Sequence, residues 1–263
     1  MTHINDPNFK DYADYYDLIY RDKDYEKEVD FIEEIFEDTH KPKRILEVGC
    51  GTGSYTKILL ERGYEITAVD ISEEMLKIAR DKCACEFIKG DIKSVSINDK
   101  FDACIAMFAV ISYITRNTDI IEALNNIRRH LKTNGIFIFD AWNGLAVMRN
   151  FPEQRIKELE NDKMKVIRVA VPNLDSFDHL CEVNYKLLII NKENGTLNEI
   201  DEKHTVRFYF PQEIIHYLED TGFEVLKISP FLDLKGKVDE TVWNMTIIAR
   251  AVGANLKVHS TDR

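Results

Sequence analysis

The chain has 263 residues, 44% hydrophobic and 31% charged, an ordinary balance for a soluble globular fold with a sizeable core. A formal net charge of −11 argues against a uniform basic face for nucleic acid or adhesion to anionic lipid. No apolar run approaches the roughly 20 residues of a membrane helix, the amino terminus is unlike a secretory leader, and the five cysteines are not spaced as a zinc set. A cytoplasmic protein with reduced thiols, no metal and no membrane partner is expected.

The first forty residues carry helical periodicity, with Val29, Ile32 and Phe36 on one stripe. KPKRILEVG leads into a first buried strand, and three glycines follow. SYTKILLERGY then predicts a short helix closed by Gly63. EITAVD is a second strand, and SEEMLKIARDK a helix with Ser72 as N-cap. CEFIKGD and FDACIAMF are the third and fourth strands. NTDIIEALNNIRRHLKTNG is a long amphipathic helix with Gly135 at its end, and IFIFDAW a fifth strand. Strands alternating with helices predict a parallel sheet covered on both faces.

From about Lys163 to Phe210 the helical signal stops. MKVIRVAVP, HLCEVNYKLLII and EKHTVRFYF read as three strands, with Asn194-Gly195 as a hairpin signal between the last two. PQEIIHYLEDTGF restores a helix between Pro211 and Gly222, and EVLKIS and VWNMTIIARA close the sheet. The expected organisation is a helical cap over 1–43, a Rossmann-like α/β domain over 44–142 and 211–252, a mostly antiparallel β insertion over 143–210, and a tail over 253–263. In open α/β sheets ligands bind beyond the carboxyl ends of the strands, so an insertion leaving strand five can roof that crevice.

The stretch LEVGCGTG decides the ligand. A dinucleotide loop requires G-x-G-x-x-G with a pyrophosphate at the helix N-terminus. Here the spacing is G-x-G-x-G, from Gly49, Gly51 and Gly53, and Glu47 opposes an anion. A cationic ligand without a phosphate fits better. S-adenosylmethionine carries a sulfonium and an ammonium, and Glu47 offsets that charge directly or through water.

LEVGCGTG resembles the acid-x-G-x-G-x-G signature of class I S-adenosylmethionine-dependent methyltransferases. ITAVDIS, IKGDIKS and LKTNGIFIF match further segments of that family in order, so the resemblance covers about Arg44 to Asp140 and, loosely, the closing strands. It implies a seven-stranded Rossmann-like sheet. It also implies that Asp70, with Ile71 beside it, holds the ribose hydroxyls, that Met75 packs on the adenine, and that Asp91 and Ile92 read the adenine amino group and ring. Met107 and Phe108 fall where the family's fourth loop meets the sulfonium side. Met75 has core packing as its alternative.

The acceptor leaves less signature, because methyl transfer needs alignment more than dedicated side chains. The tyrosine-rich stretch YADYYDLIYRDKDYEKE is similar to the amino-terminal segment of methyltransferases acting on nucleotide-linked amino sugars. By that resemblance Tyr16 and Tyr25 are candidate cofactor contacts, with aromatic packing an equal alternative for each. Tyr113 stands where some amino-sugar N-methyltransferases carry a histidine, and HTVRFYF resembles a histidine-containing strand of the same group. Tyr113 and His204 are therefore the candidate catalytic residues. Alternation places His204 opposite in facing to Arg207. Asp140, Trp142, Asn143 and Arg207 are expected around the acceptor, and a structural role is the alternative for His204 and Arg207. The segment after strand five holds one tryptophan, where the sugar enzymes are tryptophan-rich.

The expected activity is methyl transfer to nitrogen or oxygen of a small molecule, with a sugar or nucleotide sugar as candidate acceptor and a homodimer as candidate assembly. Two other readings stand beside it: an RNA or protein methyltransferase, and a non-catalytic S-adenosylmethionine-binding regulator. The acidic balance and the sequence AMFAV after strand four, in place of an NPPY-type tetrapeptide, argue against nucleic acid.

Overall fold

The computed structural model describes residues 12–39 and 41–253; parts of the expected cap (1–11 and 40) and tail (254–263) lie outside the described residues. The main sheet contains β1 (Arg44–Val48), β2 (Glu65–Asp70), β3 (Glu86–Lys89), β4 (Phe101–Ala106), β5 (Leu131–Trp142), β10 (Phe223–Pro230) and β11 (Asn244–Ala251). Their spatial order is β10-β11-β5-β4-β1-β2-β3. The first five strands run parallel, and β11 is antiparallel to both neighbours. From β1 the chain winds outward through β2 and β3, then returns to place β4 on the other side of β1. That reversal opens a crevice at the carboxyl ends of β1 and β4, where α/β sheets bind ligands.

Alternation along the strands feeds two cores. Ile45, Ala68, Ile105 and Ile138 point to one face, under α2 (Tyr25–Asp38), α3 (Ser54–Glu61) and α4 (Glu73–Lys82). Leu46, Val69, Cys104 and Phe139 point to the other, under α5 (Asn117–His130) and α7 (Pro211–Asp220). Ser72 caps α4 by accepting from Met75 N at 3.2 Å. The helix α5 stops at His130, earlier than expected. Gly135 lies within β5, where an added Cβ would meet the carbonyls of Lys132 and Asp102 at 3.0 and 3.1 Å; close backbone approach, not a helix stop, explains it.

A second, antiparallel sheet has the order β6-β7-β8-β9, from β6 (Arg155–Glu160), β7 (Met164–Asp175), β8 (Leu180–Asn191) and β9 (Leu197–Arg207). Its inner face holds Val166, Leu187 and Ile189, and α1 (Ala13–Ile19) packs there through Ile19, preceded by Tyr12. The chain leaves the main sheet after Trp142, through the short helix α6 (Gly144–Arg149), and returns at Tyr209. These points adjoin: Tyr209 N donates to Trp142 O and Gly144 N to Tyr209 O, both at 2.9 Å. The strand β6 has no counterpart among the sequence expectations. RIKELE is an edge strand with one buried side chain, Leu159, so it carries no hydrophobic alternation to detect.

Candidate active site

Gly49, Gly51 and Gly53 have φ of +68°, +55° and +75°, the left-handed region that favours glycine. A Cβ on Gly49 would come within 2.5 Å of Val110, whereas one on Gly51 would meet nothing within 4 Å. The loop is thus packed at its base and open over its middle. Asp70, at the end of β2, accepts from Gly51 N and from Ser72 N, both at 2.8 Å. It ties the loop to the start of α4, and burial raises its pKa. Asp91 likewise accepts from Lys93 N at 2.8 Å. Beside them Ile71 is 46% exposed, Met75 is buried and Ile92 is half-buried against the core.

Glu47 does not face the crevice openly. It is buried behind the loop, its Oε2 accepts from Thr56 Oγ1 at 2.6 Å, and burial pushes its pKa up to about 8. A cation brought over the loop would favour its ionised form, and a phosphate would oppose it. The open glycine backbone, the acids Asp70 and Asp91 at the ends of neighbouring strands, and this buried carboxyl fit a cationic nucleoside ligand such as S-adenosylmethionine.

Next to the loop is a corner built for positive charge. Lys23 Nζ lies 4.6, 5.0 and 4.7 Å from the ring centres of Tyr25, Tyr55 and Phe108, within cation–π range. It also donates to Tyr55 Oη at 2.8 Å and pairs with buried Glu28. Phe108 and Ala109 both have positive φ, +69° and +58°, which is costly for residues with a Cβ. Asp140 holds them: both of its oxygens accept from Ala109 N at 3.0 Å. Burial pushes the Asp140 carboxyl up to about 6. Met107 is buried beneath this turn. Tyr16 lies in a tyrosine row, its ring tilted against that of Tyr20 at 4.7 Å, and Tyr20 meets Phe108 edge-on at 5.0 Å.

Beyond this turn, Tyr113 Oη lies 2.9 Å from His204 Nδ1. Tyr113 belongs to a 3₁₀ turn, Val110–Tyr113, after β4, and His204 to the inner face of β9. His204 Nε2 is 3.5 Å from Glu202 Oε2. Burial holds the Tyr113 phenol well above its usual pKa, so it stays protonated; it donates to Nδ1 or accepts from it according to the imidazole tautomer. Tyr185 and Tyr12 flank the ring at 5.0 and 5.8 Å.

Two expected acceptor contacts serve elsewhere. Asn143 is fully buried. Its Oδ1 accepts from Leu145 N, and its Nδ2 donates to the carbonyls of Asp239 and Val242 at 2.8 Å, so it braces a loop. Arg207 donates to Asn117 Oδ1 at 2.7 Å, to Thr115 O, to Tyr217 Oη and to Glu213. It locks β9 to α5 and α7, and its facing away from His204 was visible in the strand alternation. Trp142 packs in the apolar cluster with Tyr113, Val183 and Val206, and against Trp243 at 5.5 Å. Sequence reasoning missed Lys23, Glu202 and Trp243. Lys23 sits within the tyrosine-rich stretch, and Glu202 lies two residues before His204 on the same strand face; those were the available signals.

Residues 45–135 match the family described as "Methyltransferase domain". The chain is similar in structure to an S-adenosylmethionine-dependent methyltransferase from Clostridium acetobutylicum, with a TM-score of 0.80 and 25% identity, covering 93% of this chain and 99% of that one. It is 27% identical to the dTDP-3-amino-3,6-dideoxy-alpha-D-glucopyranose N,N-dimethyltransferase of Streptomyces fradiae, over 81% of this chain and 84% of that protein. It is 29% identical to the dTDP-3-amino-3,4,6-trideoxy-alpha-D-glucopyranose N,N-dimethyltransferase of Streptomyces venezuelae, over 50% of this chain and 57% of that protein. With the left-handed glycine loop, the strand-end acids and the strand order above, these matches show an S-adenosylmethionine-dependent methyltransferase whose methyltransferase domain spans residues 45–135, similar in pattern to class I amino-sugar methyltransferases.

Proposed function

We propose that this enzyme methylates the nitrogen of a small amine, of amino-sugar type, held between the main sheet and the second sheet. The observation that carries this reading is the 2.9 Å Tyr113–His204 hydrogen bond, with Glu202 Oε2 3.5 Å from His204 Nε2, where the turn after β4 meets the second sheet. S-adenosylmethionine supplies an electrophilic methyl group on a sulfonium. Glu47 behind the loop and Asp70 at the end of β2 hold that cation and its ribose. Phe108 and the tyrosine row exclude water from the nucleophile's approach. The acceptor N–H donates to Tyr113 Oη, and a proton released at that nitrogen passes to Oη as the phenol's own proton moves to His204 Nδ1; the imidazolium so formed faces Glu202. The printed names of the two Streptomyces relatives support an amino sugar over other amines.

The test is turnover with methyl-labelled cofactor against a panel of free and nucleotide-linked amino sugars and their hydroxyl analogues, followed by mass spectrometry of the products. Label on nitrogen of an amino sugar is expected. Label only on hydroxyl oxygens, or none with any acceptor despite cofactor binding, would overturn the proposal.

A further inference from the structure

Two consecutive residues with side chains, Phe108 and Ala109, stand in the left-handed region at φ +69° and +58°. Such a backbone persists only where its surroundings over-determine it, and it gathers at functional sites. The restraint here is Asp140. It is 2% exposed, and both of its oxygens accept from Ala109 N at 3.0 Å. Burying a carboxylate is costly unless it is hydrogen-bonded. The amine of this corner, Lys23, pairs with Glu28, so Asp140 serves the backbone of the turn. The two parts come from neighbouring strands: β4 leads into the turn and β5, parallel beside it, carries the carboxylate.

Three contacts of the site leave this turn. The Phe108 ring lies 4.7 Å from Lys23 Nζ and 5.0 Å from the Tyr20 ring. Val110 packs against the glycine loop so closely that a Cβ on Gly49 would come within 2.5 Å of it. Ala109 O accepts from Ser112 N at 3.0 Å, which starts the 3₁₀ turn that ends at Tyr113, and Tyr113 reaches His204 on the second sheet. A relaxed backbone at Phe108 and Ala109 would displace all three together.

We infer that Asp140 is a positioning residue for methyl transfer: by holding the Phe108–Ala109 turn, it sets the glycine loop, the Phe108 wall and Tyr113 relative to one another. It acts through the backbone of the turn. This rests on the function proposed above and adds to it the group that aligns the cofactor side with the acceptor side. Methyl transfer is an in-line displacement, and a misplacement of about 1 Å can cost on the order of 10²-fold in rate, which gives the strained turn a use.

The test needs no acceptor. Four full-length proteins are compared at a temperature where each is folded: the unaltered chain, Asp140→Asn, Ala109→Gly and the double variant. S-adenosylmethionine affinity is read by calorimetry, and the His204 ring signals by NMR, assigned by their loss in His204→Asn. Asp140→Asn keeps the size of the side chain and loses its charge and one acceptor oxygen. It should bind the cofactor at least about tenfold more weakly, the difference between a charge-assisted and a neutral hydrogen bond. It should also shift the His204 signals, although His204 lies on the other sheet. A glycine adopts the left-handed φ without strain, so adding Ala109→Gly should recover most of both effects. Either readout unchanged in a folded Asp140→Asn variant, or no recovery in the double variant, overturns the inference, because the carboxylate would then act by a route other than the turn. If Asp140→Asn does not fold, Asp140→Glu decides, since it keeps the charge and moves the oxygens: weaker binding with shifted His204 signals supports the role, and retention of either refutes it. The amine reading fails separately, by the absence of labelled nitrogen products.

Discussion

Tyr113 and His204 are joined by a 2.9 Å hydrogen bond across ninety-one residues of chain, linking the turn after β4 to the inner face of the second sheet. The bond gives the roof a direct contact with the part of the crevice where the acceptor nitrogen is proposed to sit. Tyr113→Phe removes the hydroxyl and keeps the ring, and His204→Asn removes the imidazole. With an amine acceptor each should lower turnover modestly, by about tenfold, because alignment dominates, with cofactor affinity unchanged. Turnover measured across pH at saturating cofactor checks this. A loss of several thousandfold in His204→Asn would instead mark a base needed in the transition state, in the 10²–10⁴-fold range of general base catalysis or beyond.

Glu47 should make cofactor binding a proton-releasing event. Burial pushes its pKa up to about 8 from the ordinary 4.5. The folded state therefore holds a proton that the unfolded chain gives up, and this carboxyl's contribution to stability falls as pH rises from about 4.5 through about 8. A bound cation favours the carboxylate, so binding near pH 7 should release up to one proton. Calorimetry in buffers of different ionisation heat will read that number. Glu47→Gln should abolish the release and weaken binding; an unchanged release would show that another group titrates.

Asp70 has both oxygens engaged by backbone N–H groups before any ligand arrives. Asp70→Ala should weaken S-adenosylmethionine by about 1.5–3 kcal/mol, the scale of hydrogen bonds to a charged group, and should also loosen the glycine loop. Isothermal titration gives the first effect, and hydrogen exchange at Gly51 the second. Tight binding in the variant would remove Asp70 from the cofactor site.

Arg207 should be a stability residue. Its removal takes the buried guanidinium away from half-buried Glu213, which keeps Phe210 N, and from exposed Asn117. Arg207→Met is expected to cost about 1.5–3 kcal/mol, the scale of a charge-assisted hydrogen bond, read from denaturant melts. Acceptor and cofactor constants, measured where the variant is folded, should stay close to the original. A stable variant with a lost acceptor constant would return Arg207 to the acceptor site.

The glycine spacing, the acids at strand ends and the alternation of strands and helices are local patterns, and they made the class of fold and the cofactor legible from the chain alone. A left-handed loop demands glycine wherever it occurs, and a strand-end acid keeps its place relative to that loop through the parallel register of β1 and β2. The hairpin at Asn194-Gly195 was legible for the same reason, since Gly195 takes φ +71°. The edge strand β6 was not, because an exposed strand needs no apolar period.

What the sequence by itself determined is therefore the sheet, its glycine loop and the place of Asp70 at the end of β2. Their cause lies in backbone sterics and two-residue alternation, which act over short stretches. Which side chains meet was decided only by the tertiary structure. Arg207 and Arg168 sit on strands with similar polar-apolar patterns, yet one closes onto Glu213 and the other, on the opposite face, packs among Tyr12, Tyr20 and Tyr185. The difference depends on where α7 and α1 pack against the second sheet, a long-range arrangement fixed by burial of many residues at once and written in no single segment of the chain.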